Sequence, residues 1–315
     1  MVMNRPGVLI LSEDANDYPH LLDDLVRSGT DVRTATTATA ARAVWSGEPV
    51  VLGQPDLVAA VIGDLGDVRW VQSTWAGVTP LLTQGRRDFQ LTAVKDIFGP
   101  QMTEYVLGYL LAHELRLLRR HEHQQQRDWW PAPSGTLQGK TLGIMGTGSI
   151  GACIARTAAV LGLRVVGFSR SGEPCAGFER VFPADRLADF LAEPDYLCCV
   201  LPDTPATTNL LDEAAFRAMR GDCYLLNVGR GNLIDETALL NALDSGRIAG
   251  AVLDVFKQEP LPPNSPLWRA PNLIVTAHMA ADSRPRDVAR MFIGNYNRYV
   301  AGRPLQFLVD FERGY

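Results

Sequence analysis

The chain has 315 residues, 46% hydrophobic and 21% charged, enough apolar material for a large core and a length that suggests two domains. Its net charge of −5 at pH 7, with no long basic run, excludes nucleic acid and anionic membrane as charge-driven partners. No stretch approaches the roughly eighteen apolar residues of a membrane span. Residues 1–11 lack the pattern of a secretory signal, so a cytoplasmic protein is expected. The five cysteines, Cys153, Cys175, Cys198, Cys199 and Cys223, are odd in number and lack metal-ligand spacing; they read as reduced and mostly buried thiols, with no metal site.

Strand and helix patterns alternate throughout, which predicts an α/β chain with parallel sheets. Val8–Leu11 predicts a short strand, residues 18–28 a helix stopped by Gly29, and residues 68–72 another strand that opens into the loop 73–77. Residues 1–98 thus predict one small doubly wound domain, to which a last helix at Pro285–Val300 returns. Residues 101–127 read as one long helix. Its segment 104–118 is apolar nearly all the way round, the pattern of a helix buried on most sides, at a subunit interface or between two domains. His121 and His123 are two apart, so they point to different faces and read as solvated rather than as a metal pair. Pro131, Pro133, Ser134 and Gly135 then break the chain. A second α/β set follows, with strands at 141–145, 164–168, 196–201, 223–228, 249–255 and 273–277. Helices are predicted at 149–161, near 212–219 and at 236–245.

The stretch Gly146-Thr147-Gly148-Ser149-Ile150-Gly151 is GxGxxG between a strand and a helix, the context in which this pattern binds a dinucleotide. Gly146 allows the tight turn, Gly148 lets the pyrophosphate approach the backbone, and Gly151 lets helix and strand pack. The ribose reader belongs about twenty residues on, at Ser169, Arg170 and Ser171. An acid there would accept from the 2′-hydroxyl of NAD. A guanidinium instead suits the 2′-phosphate of NADP. NADP(H) is therefore the preferred cofactor and NAD(H) remains possible, with Glu173 close by.

Three more segments end strands of this second set, at 226–231, 252–260 and 274–279. Carboxyl ends of parallel strands line the ligand crevice, so Arg230, Asp254, Glu259 and His278 are expected to converge there. Taken singly, Arg230 could be a surface cation and His278 a core histidine.

In order and spacing, several motifs resemble the D-isomer-specific 2-hydroxyacid dehydrogenases over essentially the whole chain. They are Gly146 to Gly151, Leu201-Pro202-Asp203-Thr204-Pro205, Asn227 to Gly231, Ala251 to Phe256, Glu259-Pro260, Pro266-Leu267-Trp268 and Thr276-Ala277-His278. Residues 72–78 and the Ser-Arg-Ser turn most resemble the glyoxylate/hydroxypyruvate reductase branch. The resemblance implies a flavodoxin-like substrate domain, residues 1–98 plus about 285–315, and a Rossmann dinucleotide-binding domain, residues 99–284. The active site would lie between them, in a homodimer. It implies that Arg230 holds the substrate carboxylate and polarises the ketone, that His278 is the acid/base and that Glu259 is its carboxylate partner. Trp75, Ala76 and Gly77 would bind substrate, and Pro202 and Asp254 would lie at the cofactor. Such an enzyme reduces a small 2-keto acid to a D-2-hydroxy acid. Ala277 stands where the family usually has proline, which should loosen that loop. Glu259 is not the glutamine of formate dehydrogenases, so formate oxidation is disfavoured. Trp45, Trp75, Trp129 and Trp130 are candidates for the pocket wall or for core and interface packing. A dinucleotide-sensing, non-catalytic corepressor of the same fold is the alternative.

Overall fold

A computed structural model describes residues 5–312. Of these, the residues up to Ile97 and from Ser283 form one unit, and Phe98–Asp282 form a second.

The first unit is a five-stranded parallel sheet built from β1 (Val8–Leu11), β2 (Val32–Ala35), β3 (Val50–Gly53), β4 (Trp70–Ser73) and β5 (Gln90–Thr92). Their order, β2-β1-β3-β4-β5, is the flavodoxin-like one. β1 and β3 are buried at every position, as a central parallel strand covered on both faces must be. The crossovers are short helices, α1 (Asp23–Arg27), α2 (Ala38–Val44), α3 (Pro55–Ala59) and α4 (Thr79–Leu82). The helix expected over residues 18–28 is instead a 3-10 turn at Pro19–Leu22 followed by α1. Pro19 opens that turn, and Gly29, at φ +89°, ends the segment.

The second unit begins with α5 (Gly99–Glu114) and α6 (Leu117–Gln125). The single long helix expected over residues 101–127 is thus two. Leu115 closes α5, and Arg116 adopts the left-handed conformation at φ +52°, which breaks the hydrogen-bond ladder. Within the single chain the segment 104–118 is buried only in part. Val106, Leu107 and Leu110 are buried, but Leu111, Leu115, Leu117 and Leu118 are 38–58% exposed. Then come β6 (Thr141–Met145), α7 (Ser149–Val160), β7 (Arg164–Phe168), β8 (Arg180–Phe182), α8 (Leu187–Leu191), β9 (Tyr196–Cys199), α9 (Glu213–Ala218), β10 (Tyr224–Asn227), α10 (Glu236–Asp244), β11 (Gly250–Leu253) and β12 (Leu273–Val275). The seven strands are parallel in the order β12-β11-β10-β9-β6-β7-β8, the Rossmann order with its reversal between β6 and β9. Ile154, Ala155 and Ala158 of α7 pack with Leu142 and Ile144 of β6 and with Val106 and Leu110 of α5.

The last helix, α11 (Pro285–Val300), belongs to the first unit. Phe292 stacks on Trp70 of β4 at 5.3 Å between ring centroids.

Candidate active site

The turn between β6 and α7 lies at the point where strand order reverses, and its geometry fits a dinucleotide. Gly146 sits at φ +110°, a conformation that side chains resist. A Cβ on Gly151 would lie 2.0 Å from the Gly146 carbonyl, so only glycine lets helix and turn approach. At Gly148 the backbone is extended and the space a Cβ would enter is open. No side chain caps α7. Among the described residues the amides of Ser149, Ile150 and Gly151 donate to no backbone acceptor, so they remain free for an anion at the positive helix end. Thr147 is half-buried, and its carbonyl faces the Cys175 thiol at 3.4 Å.

After β7 the chain enters the Ser-Arg-Ser turn. Ser169 Oγ accepts from the Gly172 amide at 3.1 Å and Ser171 Oγ from the Glu173 amide at 3.4 Å, so both serines shape the turn. Arg170 is exposed. Its guanidinium has no hydrogen bond or carboxylate partner among the described residues. Pro202 is exposed just past β9, and its carbonyl accepts from Thr207 Oγ1 at 2.8 Å.

The loops after β9, β10, β11 and β12 meet around one concavity of about 440 Å³, and Arg230, Glu259 and His278 all line it. The close approach is built at Gly231, where a Cβ would lie 2.0 Å from the backbone of Phe256. Arg230 is half-buried; its Nη1 donates to the Gly229 carbonyl at 2.7 Å. His278 Nδ1 lies 2.7 Å from Glu259 Oε2, and Glu259 Oε1 accepts from the Phe256 amide at 2.9 Å. An ionised carboxylate only accepts, so Nδ1 donates and Nε2 stays available. His278 side-chain exposure is 51%, so this nitrogen is reachable.

His278 is itself left-handed, at φ +52°, which costs on the order of 1 kcal/mol for a residue with a side chain. Asp254 holds it there. The Asp254 carbonyl accepts from the His278 amide at 2.8 Å. Its carboxylate accepts from the amides of Met279 and Ala280, both at 2.9 Å, and from Thr276 Oγ1 at 2.5 Å. Thr276 in turn meets Tyr105 of α5 at 2.7 Å, and burial pushes the Tyr105 phenol upward, so it stays neutral. The loop that lacks a proline at Ala277 is tied by these bonds. Asp254 is 1% exposed and lies under the histidine turn rather than on the lining.

Several lining residues escaped the sequence reading: Asp203, Thr208, Asn209, Asn232, Phe256 and Lys257. All sit within or beside a motif on loops that leave strand ends, and that position is the signal the sequence offers for them. None of the four candidate tryptophans lines this concavity. Trp129 and Trp130 line another in the same unit, and His123 stacks on Trp130 at 4.6 Å while pairing with Asp128 at 2.6 Å. His123 is therefore half-buried, not solvated. Trp75, Ala76 and Gly77 belong to the first unit, in the loop after β4, where the Trp75 amide and carbonyl both bond Ser73 Oγ. Cys198, Cys199 and Cys223 are buried, and Cys153 and Cys175 half-buried.

Residues 107–280 match the family model described as D-isomer specific 2-hydroxyacid dehydrogenase, NAD binding domain. A glyoxylate/hydroxypyruvate reductase A from Escherichia fergusonii is 35% identical over 217 residues, 69% of this chain and 70% of that protein. The crystal structure of a D-isomer specific 2-hydroxyacid dehydrogenase family protein from Aeromonas salmonicida superposes with a TM-score of 0.93 at 43% identity. It covers 98% of this chain and 99% of that one. The NADPH-dependent glyoxylate/hydroxypyruvate reductase from Sinorhizobium meliloti, solved with NADP and sulfate, gives 0.82 at 31% identity over 99% and 100%. A nicotinamide-dinucleotide turn, a histidine–glutamate pair and an arginine on one set of strand ends thus coincide with these likenesses, and the chain belongs to the D-isomer-specific 2-hydroxyacid dehydrogenase family of oxidoreductases, in its glyoxylate/hydroxypyruvate reductase A-like branch.

Proposed function

We propose that this protein reduces a small 2-keto acid, such as glyoxylate or hydroxypyruvate, to the D-2-hydroxy acid and prefers NADPH over NADH. The observation that carries the reading is the His278–Glu259 pair beside Arg230 on one concavity. The bound nicotinamide supplies the hydride that the ketone carbon accepts. Gly146, Thr147, Gly148, Ser149, Ile150 and Gly151 would hold its pyrophosphate, with Ser169, Arg170 and Ser171 at the adenosine ribose and Pro202 towards the nicotinamide, while Asp254 acts from beneath through the His278 turn.

Arg230 pairs its planar fork with the substrate carboxylate and draws density from the adjacent ketone. Negative charge builds on the ketone oxygen, and His278 Nε2 delivers a proton to it. Glu259 fixes the plane of the imidazole and leaves Nε2 facing the substrate, since Nδ1 donates to it. Oxidation of the hydroxy acid runs the proton back to the same nitrogen. The unpaired Arg170, and the NADPH dependence of the Sinorhizobium relative, support the cofactor preference. The exposed leucines of α5 and α6, with Trp129 at 89% exposure, form the apolar face that a second copy would cover in a homodimer.

NADPH oxidation followed at 340 nm with glyoxylate and hydroxypyruvate tests the reading. His278→Ala should bind NADPH and lose about 10²–10⁴-fold in turnover. A wild-type protein that binds NADPH but reduces no 2-keto acid would refute it in favour of dinucleotide sensing. A His278→Ala protein with near wild-type rate would refute the residue assignment.

A further inference from the structure

The concavity that holds Arg230 and His278 carries a second cation that this reaction does not use. Lys257 follows β11, between Phe256 and the Glu259 loop, and lines the same space. Its Nζ donates to Asn209 Oδ1 at 2.7 Å, a neutral partner. Among the described residues no carboxylate lies within 4.0 Å of it. Its backbone amide donates to Glu236 Oε1 at 3.3 Å, which fixes the base of the side chain. Asn209 is also fixed: it is left-handed at φ +52°, and its amide bonds the Asn232 carbonyl at 2.8 Å. A lysine whose three donors meet one amide oxygen, on a loop braced from two sides, presents its remaining donors outward.

The rest of the lining is mostly polar. Asn232 Nδ2 bonds Thr208 Oγ1 at 3.2 Å, while Asn232 Oδ1 is buried without a partner. Of the two acids on the lining, Glu259 is engaged by His278 and the Phe256 amide, and Asp203 is exposed and outside ion-pair distance of either cation. Arg230 likewise has no carboxylate partner. One concavity therefore holds a guanidinium and an ammonium group, neither of which has a carboxylate within 4.0 Å among the described residues. A monocarboxylate such as glyoxylate satisfies only one.

We propose that Lys257, steadied by Asn209, binds a second anionic group at the far end of the substrate, so that this site takes 2-keto acids ending in a carboxylate or a phosphate. The inference rests on the 2-keto acid reading above and names the substrate class within it. Lys257 is exposed, and its contact with an anion should be worth about tenfold in kcat/KM.

The test compares kcat/KM with NADPH for glyoxylate, 2-oxobutanoate, 2-oxosuccinate, 2-oxoglutarate and a phosphorylated three-carbon 2-keto acid. Wild type, Lys257→Met and Lys257→Arg are assayed side by side. 2-Oxobutanoate matches 2-oxosuccinate in length but ends in a methyl group. In wild type at least one dianion should exceed 2-oxobutanoate. That ratio should fall about tenfold in Lys257→Met and return in Lys257→Arg. The arm that responds, carboxylate or phosphate, identifies the distal group. A ratio independent of Lys257, a wild-type preference for 2-oxobutanoate, or parallel loss on every substrate would overturn this inference while glyoxylate reduction still upholds the general reading. No turnover of any 2-keto acid would overturn both.

Discussion

Replacing Arg170 by alanine isolates the cofactor preference. The guanidinium is exposed and unpaired at the end of β7, which pairs with β6, the strand that leads into the dinucleotide loop. NADPH offers it a phosphate bearing nearly two charges; NADH offers a hydroxyl. A hydrogen bond to a charged group is worth about 1.5–3 kcal/mol net, and the exposure of Arg170 argues for the lower half of that range. At 1.4 kcal/mol per decade, Arg170→Ala should weaken NADPH by about 10- to 30-fold and leave NADH nearly unchanged. Ser169→Asp added to Arg170→Ala should go further and favour NADH. The aspartate can keep the bond from the Gly172 amide, accept from the 2′-hydroxyl and repel the phosphate. The assay is kcat/KM for each cofactor at fixed ionic strength, since the phosphate contact weakens with salt. A wild type that prefers NADH, or an Arg170→Ala enzyme that loses both cofactors equally, would refute the reasoning.

Arg230→Lys keeps the charge but not the fork; kcat/KM for keto acids should fall at least tenfold while the NADPH dissociation constant stays put, and an unchanged kcat/KM removes Arg230 from the site. Asp254→Ala orphans the Met279 and Ala280 amides and leaves the Thr276 hydroxyl only Tyr105, and should cost about 2–5 kcal/mol in urea unfolding along with turnover; full stability would show that water or another group holds the turn. His113, stacked on Tyr224 at 4.0 Å, is held below the usual histidine range by burial. Its unfolded state binds the proton more readily, so its contribution is complete above about pH 6.5 and is lost as pH falls through the lower folded value. His113→Phe should therefore lose less stability than wild type between pH 8 and pH 5, and equal losses would contradict this. Sedimentation at low micromolar concentration should give two chains, and Leu117→Lys with Leu118→Lys should give one; an active wild-type monomer would remove the interface.

The glycine turn, the strand-end motifs and the serine–arginine–serine turn could be read directly from residue order, because each is a local solution to a local problem. Tight turns need glycine, and a helix that offers its amides to phosphate needs no side chain at its start. Strands β1, β6 and β7 were legible for the same reason: buried parallel strands are continuous apolar runs. β2, β5 and β8 were not legible. They are short or half-exposed, and pairing with a neighbour rather than local pattern makes them strands. The break at Arg116 was equally hidden, since nothing in a leucine-rich run marks one residue as left-handed. Around the site, residue types announced Arg230, Glu259 and His278, but only the fold brings Asp254 beneath the histidine turn and sets Lys257 against Asn209, 48 residues away. Those contacts join loops from different strand ends, and a linear chain specifies them only through the packing of the whole sheet.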